Sequence, residues 1–201
     1  MMKTKIILDL DGIVFAPISD AVKLRARQEY GPRAMLTQMY KTMNIRRDHV
    51  TSQLADITYN CATSAPMIVD AHMALAELVN HPDFSVEVCS AIAYPGQQKK
   101  LEQHYRSLSP ALNKIDAYHL ISPLESKADT YSEIFLRNDE DFARMFVLDT
   151  NYKNLHRPYY LRMNPVLISD DRDQTKRAHR EYCARQFDNL AHFQSFITRK
   201  K

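Results

Sequence analysis

The chain has 201 residues, 45% of them apolar, with 27 Lys and Arg against 24 Asp and Glu. That is enough chain for one domain carrying a small insertion, too apolar for a disordered protein, and at a formal +3 too evenly charged to mark a nucleic-acid binder. Three cysteines (Cys61, Cys89 and Cys183) lie far apart and in no CxxC or CxxH pair, which argues against a structural zinc site and for reduced thiols in a cytoplasmic protein.

No run approaches the ~20 apolar residues of a membrane span, and the N-terminus lacks a signal-peptide core. A soluble protein without a membrane partner is expected. Gly12, Gly31 and Gly96 are the only glycines, so a Gly-rich phosphate loop is ruled out. Any phosphate must be held by a metal, a lysine, a helix N-terminus or hydroxyls.

In chain order, Lys5-Ile6-Ile7-Leu8 is a short β-branched run that reads as a buried strand, and Asp9-Leu10-Asp11-Gly12 follows at once. Helical patterns come next over Ser19 to Tyr30, Pro32 to Met43 and Arg47 to Asn60, separated by Gly31-Pro32 and the Asn44 region. This block, 15–65, contains no strand and reads as a helical insertion after the first strand. A helix is expected from Pro66 to Asn80, then a second strand from Phe84 to Ser90, with Glu87 an awkward charge in its middle. Pro95-Gly96 opens a helix with Leu101, Tyr105, Leu108 and Leu112 on one face. Ala117 to Ile121 reads as a third strand, and Ser126-Lys127 leads a helix carrying Tyr131, Ile134 and Phe135. Met145 to Leu148 is a fourth strand closed by Asp149, Pro165 to Ile168 a fifth, and Tyr182 to Phe187 a sixth. A last helix over Asp188 to Thr198 turns Leu190, Phe193 and Ile197 inward. Strands alternating with helices imply a doubly wound, mostly parallel α/β sheet, with 1–14 and 66–201 as its core.

Polar residues stand at matching places in this pattern. Asp9 with Asp11, Ser90 and Asp149 close apolar strands, and Lys127 sits at a helix start after another strand. In a parallel sheet these carboxyl ends share one edge, where open α/β sheets bind ligands. Each residue has a plainer reading: a strand-end hydroxyl for Ser90, a solvated charge for Lys127, a helix N-cap for Asp149. Their recurrence at corresponding places favours one site. The chemistry they suit is phosphoryl transfer. Asp9 and Asp149 could hold Mg²⁺, one aspartate could attack phosphorus and the other could shuttle the proton, while Ser90 and Lys127 grip the phosphate oxygens.

On these motifs the sequence resembles the haloacid dehalogenase (HAD) superfamily of phosphohydrolases. Its DxDx(T/V) motif is matched by Asp9-Leu10-Asp11-Gly12-Ile13-Val14, with Ile13 where the pattern has Thr or Val. The resemblance implies a Rossmann-like core, Asp9 as nucleophile, Asp11 as general acid/base with its carbonyl on Mg²⁺, and Ser90 and Lys127 as phosphate ligands. Asp149 would complete the metal site, with Asp9, Asp11 and Asp149 as its residues. The insertion at 15–65 resembles the small C1-type cap, and the Asp149-to-Leu155 run resembles the 5′(3′)-deoxyribonucleotidases. Tyr30, Arg33, Tyr40 and Lys41 would then select the substrate. A departure is Thr150 and Lys153 where many members carry a second acid; Asn151 offers a neutral oxygen instead. The expected activity is Mg²⁺-dependent hydrolysis of a small phosphomonoester, a nucleoside monophosphate first. The alternatives are a sugar phosphate or other metabolite as substrate, and a non-catalytic binding protein on the same scaffold. Nucleic acid is not an expected partner.

Overall fold

The computed structural model describes residues 3–30, 47–137 and 144–199. Six strands form one all-parallel sheet in the order β3-β2-β1-β4-β5-β6. They are β1 (Thr4–Leu8), β2 (Phe84–Ser90), β3 (Ala117–Leu120), β4 (Met145–Asp149), β5 (Asn164–Ile168) and β6 (Arg185–Phe187). From central β1 the chain steps outward through β2 to β3, then returns to the other side of β1 for β4. The strand order therefore reverses between β1 and β4, and a crevice opens at the carboxyl ends there.

A parallel sheet needs crossover helices on both faces, so its central strands are apolar throughout rather than alternating. Ile6 and Leu8 face one side and pack with α3 (Val69–Asn80) and α9 (Leu190–Thr198) through Leu75, Leu78, Leu190 and Phe193. Ile7 and Val147 face the other side and pack with α6 (Lys127–Arg137) through Tyr131 and Ile134. Beyond the short α7 (His156–Tyr160), a smaller cluster joins Leu155 and Leu167 to Ala178 of α8 (Arg172–Tyr182). Among the described residues no helix is long and apolar enough to cross a membrane, and the three cysteines are free thiols.

The insertion contributes α1 (Ser19–Tyr30) and α2 (Arg47–Ser64). Its two ends are stapled together: the Ala16 amide donates to the Pro66 carbonyl and the Ile68 amide to the Val14 carbonyl, both at 2.9 Å. Val22, Ala26, Leu54, Ile57 and Cys61 of these helices belong to the same apolar cluster as Ile6 and Leu8. The helix expected over 32–43 lies outside the described residues.

Several boundaries differ from expectation for identifiable reasons. α2 continues four residues past Asn60. α3 begins at Val69 rather than Pro66, because 66–68 are held extended against 14–16. The single helix expected through Leu112 is two: α4 (Gln98–Leu108) and α5 (Pro110–Asn113). Pro110 lacks the amide needed to continue a helix, and the Ser109 hydroxyl restarts one by accepting the Leu112 amide at 3.2 Å. Leu108 consequently lies 43% exposed instead of in the core. The sixth strand is only Arg185–Phe187, because Tyr182 closes α8 and Cys183 takes the left-handed conformation (φ 49°) of a helix C-cap. α8 itself was not anticipated. It has almost no apolar stripe, only Ala178 being buried, and is started by Asp171 accepting the Asp173 and Gln174 amides.

Candidate active site

The turn after β1 sets the geometry. The amides of Ile13, Val14 and Phe15 all converge on the Leu10 carbonyl, at 3.3, 3.0 and 3.0 Å. Gly12 makes this possible with φ 78°, and a Cβ there would stand 3.0 Å from the Thr150 side chain. Because β1 stops at Leu8, strict strand alternation does not govern the two aspartates. Asp9 is buried, with its amide on the Leu148 carbonyl of β4 at 3.0 Å. Asp11 turns toward α1 and accepts the Ile18 amide at 2.8 Å.

Four expected residues meet in the crevice. Ser90, at the end of β2, donates to Asp9 Oδ1 at 2.5 Å. The Lys127 ammonium, on the first residue of α6, lies 2.7 Å from Asp9 Oδ2 and 2.7 Å from Asp149 Oδ2. Asp149, fully buried at the end of β4, also accepts the Asn151 amide at 2.8 Å, Asn154 Nδ2 at 3.1 Å and the Tyr131 hydroxyl at 3.4 Å. Both oxygens of Asp149 are thus taken by donors. Asp149 thereby anchors Lys127 from behind. Asn151 is likewise committed, its side-chain oxygen accepting the Lys153 amide at 3.1 Å.

Burial and charge balance set the protonation chemistry. Burial pushes the Asp9 carboxyl up to about 6, with Lys127 opposing and Asp149 adding to the rise. Burial also raises Asp11, against the Ile18 hydrogen bond. For Lys127, burial works against the charged form, but Asp149 and Asp9 outweigh it and the ammonium is held protonated. Cys89, under the site, is pushed up to about 12 by burial and is no nucleophile.

Three carboxylates against one ammonium leave the crevice short of positive charge. The donors fit Mg²⁺, which takes one or two carboxylates and keeps several waters. The Asp9 and Asp149 carboxylates and the Asp11 backbone carbonyl, which accepts no hydrogen bond among the described residues, are the oxygens that would hold it. No cluster of three or more His, Cys, Asp or Glu is arranged around a metal among the described residues.

Beside Asp11 a cavity of about 190 Å³ opens between α1, α2 and the loops after β2 and β3. Val22, Lys23, Thr58 and Tyr94 line it. Of the expected selecting residues, Tyr30 ends α1 with its side chain outside the described set, and Arg33, Tyr40 and Lys41 lie wholly outside it.

No family model matches this chain, and no curated protein does. Solved structures do match. L-2-haloacid dehalogenase from Xanthobacter autotrophicus superposes over the whole of both chains at 14% identity and TM-score 0.61. D,D-heptose 1,7-bisphosphate phosphatase from B. bronchiseptica, crystallised with magnesium and phosphate, also matches over both whole chains at 16% and 0.63. A haloacid dehalogenase-like hydrolase from Streptococcus pneumoniae aligns over 97% of this chain and 98% of its own, at 12% and 0.68. The chain has the haloacid dehalogenase fold.

Within this HAD fold, sequence reasoning located Asp9, Asp11, Ser90, Lys127 and Asp149, and the structure brings Asp9, Ser90, Lys127 and Asp149 into direct contact. It missed the hydroxyl of Tyr131, which was assigned only to the apolar face of α6, and Asn154. The available signal for Asn154 was its spacing: a 3₁₀ turn over Tyr152–Leu155 folds residue 154 back onto Asp149. Thr58 and Tyr94 gave no signal at all.

Proposed function

We propose that this chain is a Mg²⁺-dependent phosphomonoester hydrolase that works through an aspartyl phosphate on Asp9. The observation that carries the proposal is the clamp on Asp9: a buried carboxylate held between the Ser90 hydroxyl and a Lys127 ammonium that Asp149 fixes from behind. Asp9 attacks phosphorus, and the bond from phosphorus to the leaving oxygen breaks. Asp11, whose proton affinity burial raises, gives a proton to that oxygen and then takes one from the water that hydrolyses the acyl phosphate. Ser90 and Lys127 stabilise the phosphoryl oxygens once substrate displaces part of their hold on Asp9. A bound Mg²⁺, held by Asp9, the Asp11 carbonyl and Asp149, would neutralise charge between phosphate and nucleophile.

One of the matching structures is a dehalogenase, but a departing halide needs no proton. Asp11, an acid beside the nucleophile with its proton affinity raised, suits an alkoxide leaving group. A nucleoside monophosphate is the leading substrate and a sugar phosphate the alternative. The three free thiols suit a reducing compartment, and we place the protein in the cytoplasm. The test is phosphate release from nucleotide, sugar and aryl monophosphates with Mg²⁺ and with EDTA. Metal-dependent release supports the reading; folded protein that releases no phosphate under either condition refutes it.

A further inference from the structure

We infer that Thr58 is the specificity-determining residue of the cavity beside Asp11. It selects esters whose leaving group carries a planar ring with a hydrogen-bonding atom for its hydroxyl, and the cavity disfavours leaving groups that are polyhydroxylated sugars alone. The inference rests on the hydrolase reading and specifies its substrate class.

The walls are apolar: Ile18 and Val22 from the α1 side, Ala91, Ile92 and Tyr94 after β2, and Pro123 after β3. The polar groups differ in availability. Lys23 is half-exposed and paired to Asp20 at 2.9 Å. Ser19 is exposed, and Asp11 has one oxygen on the Ile18 amide. Thr58 is buried, 4% exposed, and lines the cavity.

A helical hydroxyl ordinarily returns to a carbonyl one turn back. Thr63 and Ser64 of the same helix do so, donating to the Tyr59 and Asn60 carbonyls at 3.0 and 2.6 Å. The Thr58 hydroxyl has no partner among the described residues. Lining the cavity, the hydroxyl is open to water there, and a ligand atom placed opposite it takes up that hydrogen bond. The walls work against a sugar. Most of its hydroxyls would face Ile, Val, Ala and Pro with nothing to bond, whereas a ring presents a flat apolar face to those walls and to Tyr94.

The test compares kcat/KM of wild type, Thr58→Val and Thr58→Ser on phenyl phosphate, deoxythymidine 5′-monophosphate and glucose 6-phosphate. Phenyl phosphate carries no atom for the hydroxyl, and the nucleotide ring does. Wild type should prefer the two ring esters to glucose 6-phosphate. Thr58→Val should lower the ratio of nucleotide to phenyl phosphate turnover about tenfold, chiefly through KM, and Thr58→Ser should restore it. Thermal unfolding of Thr58→Val, which keeps the side chain's shape, checks that the fold is intact. An unchanged ratio in a folded Val variant, or glucose 6-phosphate as the best wild-type substrate, overturns the inference and leaves the hydrolase reading standing. Wild type inactive even on phenyl phosphate overturns both.

Discussion

Two ion clusters are strung across the sheet, and they push carboxylates in opposite directions. In one, Asp9, Asp11 and Asp149 share the single ammonium of Lys127, and Asp9 is pushed up to about 6 by burial with Asp149 adding to it. In the other, Glu87 of β2 sits between Lys5 of β1 at 2.6 Å and His119 of β3 at 2.9 Å. Burial pulls Glu87 upward there too, but its hydrogen bonds to His119 and Lys5 prevail and hold it down at about 2. What differs is the ratio of carboxylates to cations. A balanced cluster locks three strands together. A cluster with too many carboxylates is short of positive charge, and that deficit adds to the raised proton affinity of Asp9 and leaves an opening for a cation.

The sharpest way to break the comparison is Asp9→Asn. Phosphate release should fall by at least about a thousandfold, since the nucleophile is gone while Lys127, Ser90 and the fold persist. A variant retaining turnover would remove Asp9 from the role assigned to it. The same substitution has a stability signature. A carboxyl raised in the folded state stabilises below its unfolded value near 3.8 and loses that contribution as pH rises through about 6. Denaturation of wild type should show this loss between those pH values, and Asp9→Asn should show less of it, Asp11 remaining.

Lys127→Met comes next. It strands Asp9 and Asp149 as buried charges without their cation, costing about 3–5 kcal/mol in chemical denaturation at pH 7. If stability at pH 7 is unchanged, Lys127 is not what keeps the two carboxylates in the crevice. Gly12→Ala should cost about 1–3 kcal/mol, because the left-handed backbone is strained and the new Cβ meets Thr150. Gly96→Ala is the control: φ is 85° there but nothing lies within 4 Å, so the smaller backbone cost stands alone.

The smallest effect belongs to the balanced cluster. Glu87→Gln should cost about 1–2 kcal/mol at pH 7 after discounting for its partial exposure. Glu87 is held down in the folded state, so its contribution is present above 4.5 and disappears as pH falls toward about 2. Wild type should therefore lose stability over that acid interval more steeply than Glu87→Gln, measured by urea midpoints. Equal slopes would mean that Lys5 and His119 do not stabilise the carboxylate.

Much of this was legible without coordinates. Short β-branched runs ending in Asp9, Ser90 and Asp149 are local signals, and a parallel sheet brings strand ends to one edge whatever the packing details. Glu87 in mid-strand was legible only as an anomaly, because its partners come from two other strands. α8 was missed because it buries only Ala178 and has no run of apolar residues to mark it, although Asp171 followed by Gln174 is a helix-start signal.

The sequence alone determined the α/β class and picked out five residues of the candidate site, since each depends on neighbours a few positions away. Tertiary structure decided what those residues do to one another. Ser90 meets Asp9 across 81 positions and Lys127 meets Asp149 across 22, and these contacts depend on distances that no local pattern contains. The same is true of Thr58: a threonine in a helix is ordinary until the opposing loops close a cavity around it.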